Sequence, residues 1–149
     1  MNLYGILKSA HSGWRYIVII LLVIAVIQAL TGWLGKKSYT EGNRKLNVFA
    51  LISAHIQLLI GLGLYFLSPF TKGPTSEAVY RYWKMEHIAI MIIAVVLITI
   101  GNSKSKKIAD SVAKHKMVTL FFGIALLLIT LSIFMMVKND PSRTLFGIS

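Results

Sequence analysis

Four apolar stretches, each about 17–25 residues long, dominate this chain and leave it essentially one architecture. A helix of that length crosses a hydrocarbon core about 30 Å thick, and only helices or closed barrels satisfy every backbone N–H and C=O there. The stretches are continuously apolar and do not alternate, so they predict helices and not barrel strands. The spans fall at approximately residues 14–35, 46–67, 80–101 and 116–137. Short connections make consecutive spans antiparallel neighbours. The expected fold is all-α, a four-transmembrane-helix up-down-up-down bundle, with residues 1–149 forming a single integral membrane domain.

Charge and composition narrow the class further. A formal net charge of +11 in a soluble protein would point to nucleic acid, but on a chain that is 56% hydrophobic it fits loops facing anionic lipid. No nucleic-acid partner is expected, and the lipid bilayer is the first partner. The first and third loops carry Lys36, Lys37, Arg44 and Lys45, and Lys104, Lys106, Lys107, Lys114 and Lys116. The positive-inside bias places these loops in the cytoplasm and both termini in the periplasm of a bacterial inner membrane, although Lys8, Arg15, Lys72, Arg81, Lys84, Lys138 and Arg143 soften the contrast. The first run is too long for a signal-peptide core and leads into lysines without a small-residue cleavage pattern, so it is expected to be retained. With no cysteine, the chain offers no disulfide and no thiolate-held zinc or iron–sulfur cluster.

Histidine is the residue type that carries chemistry here. His11, His55, His87 and His115 each lie in or beside a different apolar run. An ionisable group in a bilayer is costly and marks a bundle interior, a water path or a cofactor, and histidine is a common axial ligand of haem iron. His11 and His87 have comparable depth near the outer edges of spans one and three, which are diagonal in a simple ring of four helices. They form the leading ligand pair for a b-type haem. The alternative is two interfacial histidines hydrogen-bonded to headgroups or water.

His55 sits mid-span, where no headgroup can reach it. It is either an alternative metal ligand or the partner of a polar side chain such as Gln28, Thr31 or Thr99. His115, between Lys114 and Lys116, is expected at a solvated cytoplasmic mouth. Arg15, one turn after His11, and Arg81 and Lys84, just before His87, are candidate partners for haem propionates or anchors to lipid phosphate. Glu86 is a candidate proton acceptor if the site handles quinol, or a simple interfacial ion-pair partner. Gly61, Gly63 and Ala54 permit close approach of a neighbouring helix or of a flat macrocycle.

His11-Ser12-Gly13-Trp14-Arg15, the stretch Gln57 to Tyr65, and Glu86-His87 followed by Ile98-Thr99-Ile100-Gly101 and a lysine-rich loop resemble a family of small bacterial four-helix membrane proteins labelled cytochrome b-like. The resemblance covers nearly the whole chain and implies a haem b protein with His11 and His87 as the positions carried over. A weaker resemblance links the chain to the four-helix, haem-binding membrane type of protoporphyrinogen oxidase, which also places a histidine in its first helix. The resulting expectation is bis-histidine electron transfer, linked to quinol and to a redox protein partner, in a homo- or hetero-oligomer. A protoporphyrinogen oxidase and a haem-free accessory subunit are the alternatives.

Overall fold

In the computed structural model, which describes residues 2–140 and 142–143, four long helices form the expected all-α bundle. We label them α1 (Leu3–Leu34), α2 (Glu41–Leu67), α3 (Ala78–Lys107) and α4 (Ser111–Asn139). All four are long and apolar enough to cross a membrane, and the chain is a multi-pass membrane protein. The helices run beyond the apolar windows at most ends because polar turns with good caps continue them. Asn2, Thr40 and Asp110 each accept a backbone N–H in the first turn of α1, α2 and α4. Helix α1 ends in a Schellman pattern, with Lys37 N–H donating to the Gly32 carbonyl and Lys36 N–H to that of Trp33. Lys36, at φ 51°, occupies the left-handed position usually given to glycine. Because α1 starts at Leu3, His11 lies well inside a helix and is held by its backbone.

The packing order follows the chain. Helix α1 packs closely on α2 and α4, α3 packs most extensively on α4, and α2 and α3 form the loosest side of the ring. Helices α1 and α3 are therefore diagonal. Small residues make the close approach possible: Ala25 and Ala29 on α1, Ala50 and Ala54 on α2, Ala94 on α3 and Ala125 on α4 are all buried. Leu22, Ile98, Val118 and Phe122 fill the space between them. Large apolar side chains such as Leu59, Phe66, Leu127 and Phe134 point outward, as a lipid-facing surface requires.

One irregularity matters for function. Between Tyr82 and Glu86 the third helix widens into a π turn, with His87 N–H bonding the Tyr82 carbonyl five residues back. Such turns re-aim the side chains around them and recur at functional sites. A tyrosine near a span end ordinarily favours the headgroup level, but Tyr82 is turned fully into the bundle.

Close packing of α3 on α4 depends on Gly101, where an added Cβ would stand 2.6 Å from the Phe121 Cβ. Gly101→Ala is expected to destabilise the bundle by roughly 1–3 kcal/mol through overpacking. Thermal unfolding of the detergent-solubilised protein, followed by loss of monodisperse material, checks this. An unchanged midpoint would contradict the packing described.

Candidate functional site

A cleft of ≈ 140 Å³ opens at the end of the bundle where α1 begins and α4 ends, lined by all four helices. His11 from α1 and His87 from α3 face each other across it, with ring centroids 6.1 Å apart and planes at 79°. The ring of His11 lies against Gly61 of α2, where a Cβ would come within 3.1 Å of Cε1. Gly63 brings the same helix against Leu7. These glycines thus serve the close approach of α1, and any larger residue at Gly61 would press on the imidazole. Gln57, one turn before Gly61 on α2, pins the same place, donating from Nε2 to the His11 carbonyl at 2.7 Å. The indole of Trp14 donates to the Ser53 carbonyl at 2.9 Å, which fixes α1 and α2 in register.

His87 sits in an aromatic and hydroxyl setting. Trp83 and Tyr82 pack on its ring at 4.9 and 5.7 Å. Its Nδ1 lies 3.3 Å from the Tyr82 hydroxyl and 3.4 Å from Ser132 Oγ on α4. Tyr82 and Ser132 are both fully buried, so this contact is shielded from solvent. Neither residue stands out in sequence: a tyrosine near a span end reads as an interface anchor, and one serine in an apolar helix reads as packing.

Charge in the cleft has one sign. Lys8, Arg15 and Arg143 line it, and no carboxylate does among the described residues. Arg15 extends along Tyr16, donating to its hydroxyl at 3.0 Å. Arg143 comes from the segment after α4, donates to Ser12 Oγ at 3.3 Å and stacks its guanidinium 5.1 Å from the Trp83 ring centre. Its proximity was not legible in the sequence because 131 positions separate it from Ser12. Asp140 organises this segment from a buried position, accepting from the Trp83 indole at 2.9 Å and from the Ser142 hydroxyl and N–H.

The remaining sequence candidates lie elsewhere. Arg81 is exposed and paired with Glu86 at 3.0 Å, so neither turns into the cleft. Lys84 does not line it either; its backbone carbonyl accepts from the Tyr65 hydroxyl at 3.0 Å. The π turn rotates this stretch so that Tyr82 and Trp83, and not the two cations, face inward. His55 lies on the exposed face beside the loose α2–α3 side, with Nε2 2.9 Å from the Thr99 hydroxyl. That hydroxyl already donates to the Val95 carbonyl, so His55 Nε2–H is the donor and its polar demand is met without a metal.

His115 departs from its expected solvated position. It is 2% exposed, its ring fills the space left by Gly32, and Nε2–H donates to the Ser38 carbonyl at 3.2 Å. The loop before α2 folds over it, which flanking lysines gave no reason to expect. His115 belongs to the opposite end of the bundle from His11 and His87. Among the described residues, no group of three or more His, Cys, Asp or Glu side chains could hold a metal ion, so the His11–His87 pair offers a two-ligand site only. Comparison of the chain with family models, with curated proteins and with solved structures finds no match.

Asp140 provides a test of the outer cap. Burial pushes its carboxyl up, but hydrogen bonds from Ser142 and Trp83 and the charge of Arg143 outweigh that and hold it below the ordinary carboxylate value. Its contribution is complete above that value and is lost as pH falls through the lowered folded one. Acidification below about pH 4 is therefore expected to release Trp83 and change tryptophan fluorescence. Asp140→Asn should show much of that change already at neutral pH, and an identical acid profile in the variant would contradict the assignment.

Proposed function

We propose that the chain is a b-type cytochrome of the bacterial inner membrane, with His11 and His87 as the axial pair of one haem. The observation that carries this reading is the diagonal pair itself. Metal–imidazole bonds of roughly 2 Å on either side of one iron put ring centres roughly 6 Å apart, and the two rings stand at 6.1 Å. The residues present fit the group on two further grounds. Gly61 leaves room for the His11 ring, and Lys8, Arg15 and Arg143, the last also paired with Asp140 at 3.9 Å, bring positive charge toward propionates in a cleft that no carboxylate lines among the described residues.

When bound, haem b supplies a reversible one-electron couple at its iron. The chain's own contribution is to present both imidazoles from diagonal helices, to line the cleft largely with apolar side chains, and to set Lys8, Arg15 and Arg143 where propionate carboxylates would lie. With His11 and His87 both holding the group, the protein itself would supply both imidazoles, which suits electron relay better than substrate turnover. The basic loops lie at the end opposite the cleft, which supports a periplasmic position for both termini and for the site. Quinol in the bilayer as donor and a redox protein at the outer face as acceptor complete the proposal.

Purified wild-type protein is expected to show a b-type reduced-minus-oxidised spectrum with low-spin, bis-imidazole character. That low-spin spectrum should be lost in both His11→Ala and His87→Ala and kept in His55→Ala. Retention of the wild-type spectrum by either of the first two variants would sink the ligand assignment. Porphyrinogen oxidation by wild-type membranes would favour the oxidase reading instead.

A further inference from the structure

The two imidazoles meet the cleft on unequal terms. The Tyr82 hydroxyl is 2.6 Å from the Ser132 carbonyl, which can only accept, so the phenolic proton is committed there. Towards His87 Nδ1 the tyrosine oxygen then presents lone pairs alone, and that contact is attractive only if Nδ1 carries the proton. Ser132 Oγ fits the same arrangement: 3.0 Å from the Tyr82 oxygen and 3.4 Å from Nδ1, it can donate to the first and accept from the second. A neutral imidazole has one N–H, so His87 Nε2 keeps its lone pair. Tyr82 and Ser132 come from α3 and α4, the most extensively packed pair of helices, which makes the arrangement rigid.

His11 has no counterpart to this. The backbone of Gln57 lies beside its ring, but Nδ1 is buried and makes no well-formed hydrogen bond among the described residues, and the ring packs against Gly61 and the edge of His87. If Nε2 of His11 coordinates a metal, Nδ1 must keep a proton with no well-placed acceptor among the described residues, whereas that of His87 has two hydroxyl oxygens within 3.4 Å. Hydrogen-bonded partners behind a ligating histidine fix its tautomer and raise its basicity.

Resting on the haem reading above, we infer that His87 is the anchoring ligand, with Tyr82 and Ser132 as its positioning residues, and that His11 is the displaceable one. The site is then a relay with one weak axial bond, on the α1 side, where a small neutral ligand can compete.

Haem retention after dilution and carbon monoxide binding to the reduced protein test this directly. His11→Ala should keep haem within about twofold of wild type and bind carbon monoxide, whereas His87→Ala should retain at least about tenfold less. Tyr82→Phe combined with Ser132→Ala should erase most of the difference between the two histidines. Circular dichroism and gel filtration confirm that each variant folds. Equal retention by the two single variants, or the reverse order, would overturn the inference. Independently of haem, ¹⁵N chemical shifts of His87 in the haem-free wild type should report the Nδ1–H tautomer; an Nε2–H tautomer also overturns it. A wild type that takes up no haem would defeat the haem reading, and the ligand ranking with it, while the tautomer result would still decide the role of Tyr82 and Ser132.

Discussion

Inside a bilayer an imidazole has no water to fall back on, and this constraint organises the whole bundle. Each of the four histidines needs a partner supplied by another element, and the fold provides for three of them in different ways. His55 donates to Thr99 across the loose α2–α3 side, and His115 donates to the Ser38 carbonyl under the first loop. His87 is held by hydroxyls from its own helix and from α4. His11 is left with its ring against Gly61 and its edge against His87, and its Nδ1 and the Gln57 amide oxygen leave polar capacity unmet at the cleft.

The rest of the site follows from that concentration. Bringing α1 and α3 within reach of each other along a diagonal requires alanines and glycines at the helix contacts, and these are where the core is found. The π turn between Tyr82 and Glu86 converts a stretch that would otherwise spread cations and aromatics around the helix into one that sends Tyr82 and Trp83 inward and Arg81 outward. The cleft thereby loses Arg81 and Lys84 and gains Arg143, which Asp140 and Trp83 position from beyond the last helix. A basic cleft with an apolar wall, lined by no carboxylate among the described residues, is suited to an amphiphilic anion, and a dicarboxylate macrocycle is one.

What could be read from the sequence was the part governed by continuous hydrophobicity and by spacing. Four spans, their antiparallel order and the diagonal relation of His11 to His87 all follow from run lengths and connection lengths, and Thr99 stood among the partners weighed for His55. Helix ends were read short where capped polar turns continue the helix and hydropathy falls, as before Trp14 and after Gly101. That Arg81 and Lys84 stand outside the cleft could not be read from the sequence, because a π turn leaves no mark in residue composition. Arg143, Tyr82 and Ser132 were invisible as site residues because their importance arises from contacts across 131, 5 and 50 positions that no local pattern encodes. His115 shows the opposite error, since lysines on both sides hid a ring that a distant glycine accommodates.

The central claim is that the diagonal pair holds a single haem. Its most direct test is the pyridine haemochrome stoichiometry of the full-length protein, purified after expression with haem in excess. The account requires haem b at one per chain. A colourless protein under those conditions would contradict it and leave the His11–His87 contact as packing in a haem-free membrane subunit.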